Sequence, residues 1–519
     1  MGVSKLLLSL DTSFWPSRWA ILGGHWSPTT ALFTVFTFYA LYRGFFFVLG
    51  LYRRYLHPLS KFPGHPEACV STAWAFREAL KGFPEEAFEI LHKQYNTKAL
   101  RVGPNELHIS DIELYKVIYK QADPFPKYEP FYMSFNAPHT LFSEADTVKH
   151  KERRRLLSPL FSRAGIIKLE PLIREKLALL DGKIERLCRQ KEINVYNALR
   201  LLTTEIIMQF AFSQSAGMIE EQEDDFGSGF TNALSVASHS VYLMYEKPWV
   251  RYIGNVMPPR ILRILNPALG NMMNLIEFAA TSVRRWQADQ GNRKDSYPIV
   301  FDRLGSLTES EKMSEGVDLL VAGSDTTAST AATAVMQILS NPYIERKLVN
   351  SLDAAIPSAD NLPQLLDLEK IEYLTACVKE SLRFTSAAPG RLPRVVPADG
   401  EPFVVDGHVI PPGTIVSMSP HTMHTNVGVW GPDARSFNPD RWLTPNAKSL
   451  EQYQVAFSKG NRMCIGQNLA TAEITIILAH FFRRYKMSLP ADFVPPRKVD
   501  VFTLEYEKPG IPISVSVRE

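Results

Sequence analysis

Residues 457–466 read "FSKGNRMCIG" and place one cysteine, Cys464, in a loop of small and basic residues just ahead of a helix-like run. The other cysteines, Cys69, Cys188 and Cys377, are too far away in sequence to form a zinc-type pair with it or with one another. Any chemistry at Cys464 is therefore that of a single thiol. A loop thiolate whose neighbouring amides face the sulfur is a strong, soft ligand for iron. Gly460 and Gly466 permit close approach to a flat group, and Arg462, two residues before the cysteine, could neutralise a carboxylate on it. A lone cysteine is more often a small buried hydrophobe, so this reading needs support from the rest of the chain.

The 519 residues, 45% of them hydrophobic, can bury a large core around one cofactor. A formal charge of +3 with no long basic block argues against nucleic acid as a partner. Four scattered cysteines are no disulfide framework, and no Asn-x-Ser/Thr sequon occurs, so the body suits a reducing compartment. One segment departs from this soluble composition. Residues 29–52, "TTALFTVFTFYALYRGFFFVLGLY", are long and apolar enough to cross a bilayer and carry a single charge, Arg43. Arg53, Arg54 and Lys61 follow, which directs the C-terminal body to the cytosol by the positive-inside tendency. The upstream stretch "FWPSRWAILGGHW" suits the membrane surface. The expected organisation is an N-terminal segment 1–28, a transmembrane anchor 29–52, a stiff proline-rich linker 53–66 and one catalytic body 67–519.

Helical spacing of apolar residues predicts helices over 85–95, 166–190, 198–212, 310–340 and 365–384. Residues 99–110, 402–419 and 510–517 read as strands, the first two as hairpins. The acidic run 220–229 reads as a solvated loop. The fold class is mostly α with a small β portion assembled from distant parts of the chain.

The pattern Phe457-x-x-Gly460-x-Arg462-x-Cys464-x-Gly466 resembles the haem-binding loop of the cytochrome P-450 family at all five positions. Three further stretches stand in the family's order. "AGSDTT" (322–327) resembles the centre of the long helix that crosses the oxygen-binding face of the haem. "ESLR" (380–383) resembles the family's Glu-x-x-Arg, and "FNPDRW" (437–442) the segment whose arginine, Arg441, joins that pair in a structural network. The resemblance covers the whole chain and implies the cytochrome P-450 fold with an N-terminal membrane anchor. It implies haem b (iron protoporphyrin IX) as cofactor, Cys464 as its iron ligand, and Gly466 beside it. It implies Thr326 as a hydroxyl donor to dioxygen, Asp325 as the acid passing protons inward from solvent, and Ala322 and Gly323 as the small residues leaving room. A Ser/Thr/Ala-rich helix could also simply pack closely, but an acid followed by two threonines is costly to bury unless paired or used.

The haem propionates need cationic or hydrogen-bonding partners. "HKERRRLLSPLF" (150–161) resembles the family's C helix, with His150 where tryptophan often stands and Arg154 one turn on; Arg394 and Arg462 complete the set. Arg153 and Arg155 are expected on the solvated face.

The resemblance implies a monooxygenase that inserts one atom of dioxygen using electrons from an NADPH-cytochrome reductase. Its docking face is expected at Lys459, Arg153 and Arg155, and its location in the endoplasmic reticulum membrane, in contact with lipid. Two alternatives are a peroxide-rearranging isomerase of the same fold and a non-catalytic membrane haem sensor. Residues 55–64 and 125–142 look most like fungal members, many of which tailor secondary metabolites. The aromatic loop "FPKYEPFYMSFNAPHTLF" (125–142), broken by three prolines, and the small Ser386, Ala387 and Ala388 suggest an apolar pocket with no lysine or arginine placed to bind a substrate carboxylate or phosphate, although Lys127 is nearby. The expected substrate is neutral, largely hydrophobic and of medium size, such as a terpenoid or polyketide-derived intermediate, hydroxylated or epoxidised.

Overall fold

The computed structural model describes residues 28–221, 225–265, 267–289 and 297–518. The stretch 14–26 assigned to the membrane surface, and residues 222–224 of the acidic run, lie outside the described residues. An apolar run free of internal proline forms helix α1, Pro28–Leu51, extended by one π-helical turn over Tyr52–Leu56. The span Ala31–Leu56 has mean hydropathy 1.6 with none of it buried, as a membrane anchor requires. Arg43 donates to the Tyr39 hydroxyl at 3.3 Å, one turn back, which softens the single charge in the run. The chain divides into two units between His57 and Pro58. Leu59 and Phe62 are buried, so the second half of the expected linker packs as part of the body rather than as a free spacer.

After two short helices, Ala73–Leu80 and Pro84–Tyr95, strands β1, Ala99–Gly103, and β2, Glu106–Ile109, pair as the expected antiparallel hairpin. Helix α2, Thr147–Leu157, starts where the Asp146 carboxylate accepts from the amides of Val148 and Lys149. Asn194 caps helix α3, Val195–Phe212, in the same way. Helix α4, Glu309–Leu339, opens with a reciprocal capping box between Thr308 and Glu311 and is the longest in the body, at 31 residues. The helix expected over 365–384 is two, a turn at Leu365–Leu368 and α5, Glu372–Thr385, separated by extended backbone at Ile371. Strands β3, Arg394–Val395, and β4, Ile415–Ser417, follow, then helix α6, Gln467–Arg484.

Residues 402–419 form only a short hairpin, Val404–Val405 with His408–Val409. β4, buried at every position, leaves it to lie between β3 and β2, pairing parallel with β2 in the sheet order β1-β2-β4-β3. A fully buried strand needs a neighbour on each edge to satisfy its backbone. The C-terminal strand Pro512–Val517 joins Tyr485–Ser488 and Ile193–Asn194.

α4 runs through the main core against α3. A Cβ on Gly323 would stand 2.6 Å from Ile207 Cγ1, so the small residue serves this close helix approach. On a second flank, α5 carries the buried carboxylate of Glu380. It accepts from Arg383 Nε (2.9 Å) and Nη2 (2.7 Å), Arg441 Nε (3.2 Å), Trp442 Nε1 (3.0 Å) and the Asn438 amide (2.8 Å). The remaining guanidinium donors of Arg383 reach the carbonyls of His424, Ala434 and Ser436. The expected structural network is thus present and saturated, the condition under which a buried ion pair is tolerated. Removing its acid strands buried Arg383, whereas Arg441 keeps Asp433 at 2.9 Å. Glu380→Ala is expected to cost roughly 3–5 kcal/mol, read as a large fall in the thermal unfolding midpoint, whereas Arg155→Ala on the exposed face of α2 leaves it unchanged.

Candidate active site

The loop before α6 is set by backbone constraints. Ser458 and Gly460 adopt φ of 57° and 75°, and a Cβ on Gly460 would overlap the carbonyl oxygens of Tyr119 and Lys120, so only glycine fits there. The Cys464 amide donates to the Phe457 carbonyl at 2.8 Å and closes the loop. Gly466 then caps α6, leaving the thiol at the N-terminal end of an 18-residue helix, where a negative charge is favoured. A Cβ on Gly466 would lie 3.7 Å from the sulfur. Cys464 counts as exposed, yet it lies in the interior, because it lines an internal chamber that α4 also lines. Burial pushes the thiol up from its ordinary value, opposed by the Gly466 amide and the Arg154 guanidinium.

The same chamber has an apolar wall and a basic one. Val321, Ala322, Gly323 and Thr326 of α4 face it, as do Leu141, Phe142, Phe135 and Phe502. The basic wall holds His150, Arg154, Arg462 and Lys127. Arg154 donates to the Met463 carbonyl at 2.8 Å, and Arg462 to those of Glu144 (2.7 Å) and Ala145 (3.0 Å). Lys127 donates to the Phe142 carbonyl and sits 4.4 Å from the centre of the Tyr132 ring. None of these four has an ion-pair partner among the described residues, and the His150 ring makes no hydrogen bond there. Burial, then Arg462, Lys127 and Arg154, hold His150 down at about 3, so it is neutral. Burial and Arg394 bring Arg462 down to about 10, and burial drives Lys127 well below its ordinary range. Cations packed together without counter-charge are unfavourable until an anion completes them. An accessible interior thiol beside such a wall fits an iron porphyrin with two carboxylates.

Two expected site residues stand elsewhere. Arg394 does not line the chamber; it is 2% exposed, donates to the Tyr132 hydroxyl and to the Pro393 carbonyl (3.0 Å), and lies 5.0 Å from the Tyr119 ring. Asp325 is fully buried and turned to α3, where its Oδ1 accepts from Arg200 Nε at 2.7 Å. One residue's rotation along the helix takes it off the Thr326 face and toward α3. Thr326 does line the chamber, its hydroxyl donating to the Ala322 carbonyl at 2.9 Å.

Other expectations are corrected nearby. Arg153 is buried, paired with Glu315 (3.0 Å) and Glu311 (2.7 Å) on α4, and Lys459 is half-buried with its ammonium on the Glu451 carbonyl at 3.1 Å; of the three docking residues only Arg155 is exposed. Ala387 and Ala388 line the chamber, but Ser386 turns away to His424 Nδ1 at 2.8 Å. In the aromatic loop Phe135 and Phe142 face the chamber while Phe125, Phe131 and Tyr132 pack as core. Lys127, expected only near the pocket, faces the chamber, as do two acids the sequence reading did not single out, Glu315 and Asp318. Helical spacing from Thr326 was the available signal for Asp318, eight residues back on the same stripe.

The profile of the family described as Cytochrome P450 matches residues 63–509. The chain is 30% identical over 461 residues to "Cytochrome P450 monooxygenase macH" of Penicillium terrestre, covering 85% of this chain and 89% of that one. It is 32% identical over 490 residues to "Cytochrome P450 monooxygenase sdnE" of Sordaria araneosa, covering 89% and 92%. A solved structure, "Crystal structure of cytochrome P450DA heme domain", superposes with a TM-score of 0.72 at 19% identity, covering 88% of this chain and 98% of that one.

The tight fit of Gly460 gives a prediction independent of any ligand. Gly460→Ala forces strain of about 1–3 kcal/mol from the positive φ alone, besides the overlap with Tyr119 and Lys120. The expected result is a lowered unfolding midpoint and faster modification of Cys464 by a thiol reagent.

Proposed function

The chain belongs to the cytochrome P450 family of haem-thiolate monooxygenases, and on that premise we propose that it inserts one atom of dioxygen into a largely hydrophobic secondary-metabolite intermediate by hydroxylation or epoxidation. The observation that supports this best is the Cys464 thiol facing a mostly apolar chamber that also holds Thr326 and an unpaired basic wall. We assign haem b as the cofactor. Held by a thiolate, it supplies dioxygen activation, the sulfur lending electron density toward O–O cleavage.

The protein's part is to bind, orient and exclude water. Cys464 would be the iron ligand, with Gly466 presenting its amide to the sulfur. His150, Arg154 and Arg462 would take the propionates, joined by Lys127, while Arg394 adds positive potential from behind the wall. The Phe135, Phe142 and Phe502 rings give the substrate an apolar roof. The Thr326 hydroxyl, released from the Ala322 carbonyl, can hold a proton at its Oγ1 within the chamber. Proton delivery by Asp325 requires its carboxylate to leave Arg200. Electrons would come from an NADPH-dependent reductase docking on the exposed residues of α2, Lys149, Lys151 and Arg155. The anchor and the Arg53–Arg54 flank support a single-pass location in the endoplasmic reticulum with the body in the cytosol.

Reconstitution with such a reductase should give consumption of NADPH and dioxygen with an oxygenated product. Cys464→Ser should abolish the reduced, carbon monoxide-bound absorption typical of thiolate ligation, and Cys69→Ser, Cys188→Ser and Cys377→Ser should keep it. The opposite pattern would sink the assignment. Thr326→Ala should still bind haem and substrate but give several-fold less product per NADPH, the electrons appearing as peroxide or water; unchanged yield would remove Thr326 from proton handling.

A further inference from the structure

Asp318 stands where two cavities meet. The chamber of Cys464 and an outer cavity bounded by Val241, Met244 and Met313 share only Phe135, Asp318, Val321 and Phe502. Three apolar side chains and one carboxylate thus line the boundary, or throat, between them. Neighbouring acids have evident structural work: Glu311 and Glu315 bind Arg153, and Glu315 also accepts from the Leu141 amide at 3.1 Å. Asp318 has no ion pair among the described residues; the Thr140 hydroxyl, which donates to Ser143 Oγ at 3.1 Å, and the Phe142 amide lie beside it. A carboxylate in an apolar passage is costly to desolvate and is compensated when a cation reaches it.

We propose that Asp318 is a specificity-determining residue that takes a cationic nitrogen on an otherwise apolar substrate, holding it at the throat while the skeleton extends into the chamber. The chemistry at the far end of that skeleton rests on the monooxygenase reading; recognition of the nitrogen does not. Asp318, Ala322 and Thr326 share one stripe of α4 at spacings of four residues, so a substrate reaching from Asp318 to Thr326 spans two turns, about 12 Å. Burial pushes the Asp318 carboxyl up to about 6, against the pull of Thr140, Lys127, the Phe142 amide and Arg153. The charged and titratable groups around it are therefore Glu315 on the same helix, Arg153 on α2, Lys127 in the aromatic loop and, across the chamber, Cys464. A group with a raised pKa is ionised above that value, so cation recognition is complete at pH 8 and fades as the pH falls through 6.

The test is equilibrium dialysis of the haem-loaded full chain in lipid nanodiscs, with empty nanodiscs as the blank. The probes are trimethyl(4-phenylbutyl)ammonium, a permanent cation that cannot ligate iron, and its neutral carbon isostere, (5,5-dimethylhexyl)benzene. At pH 8 the cation should bind wild type at least tenfold more tightly than the isostere, and at pH 5 the ratio should approach one. Asp318→Asn should abolish the ratio at both pH values while leaving the isostere's affinity within twofold, and Asp318→Glu should retain most of it. A ratio near one in wild type at pH 8, or a ratio that persists in Asp318→Asn, would overturn the proposal. Should Asp318→Asn not bind haem, the wild-type comparison of pH 8 with pH 5 and the Asp318→Glu variant decide. The binding ratio needs no turnover, so it stands or falls separately from oxygen insertion.

Discussion

The carboxylate of Glu380 collects donors from α5 itself and from the segment 438–442, and through Arg383 it also holds the carbonyls of residues 424, 434 and 436. Those residues make up a stretch with little regular structure of its own, and such a stretch keeps a single shape only when its backbone groups are satisfied from outside. The Cys464 loop continues from its end. The loop's other side is closed by Gly460 against the backbone of Tyr119 and Lys120, far earlier in the chain. The position of one sulfur atom therefore depends on a polar cluster well away from the chamber, with a sterically required glycine as the second point of attachment.

The chamber poses the converse problem. Lys127, Arg154 and Arg462 are gathered where their hydrogen bonds go to carbonyl oxygens rather than to carboxylates. Carbonyl oxygens offset part of the desolvation of a guanidinium but none of its net charge. A cofactor bearing two carboxylates, held there as proposed, would therefore also contribute to folding stability. Arg153 shows the alternative arrangement on the same helix: two acids from α4 neutralise it completely, and it belongs to the scaffold.

Motifs whose meaning lies in side-chain chemistry at short range were legible in the sequence. The Cys464 loop is legible through its resemblance to the family's haem-binding loop, Glu380 and Arg383 through their spacing of one turn, and the long helix through Thr326 through its apolar pattern. What was not legible depended on which neighbour covers a given face. Nothing in "ERRRLL" distinguishes buried Arg153 from exposed Arg155, because the choice is made by Glu311 and Glu315, more than 150 residues later. The sequence leaves the surroundings of Asp325 open, and the packing of α3 over that side of α4 pairs it with Arg200. Ser386 was placed in the pocket, yet its backbone turns to φ 49° and sends the hydroxyl to His424. β4 looked like half of a local hairpin because local turn chemistry is visible in sequence and a buried partner strand is not.

The parallel pairing of β2 with β4, Leu107 opposite Val416, also bears on how the chain is made. The β1–β2 hairpin leaves the ribosome roughly 300 residues before the strand that covers its second edge. At the usual pace of synthesis that interval is on the order of 15–60 s. Throughout it, the four buried positions of β2 face an unfilled neighbour slot, an open template for pairing with another nascent chain. Shielding of that edge during translation then bears on the yield of assembled protein as much as the stability of the finished fold does.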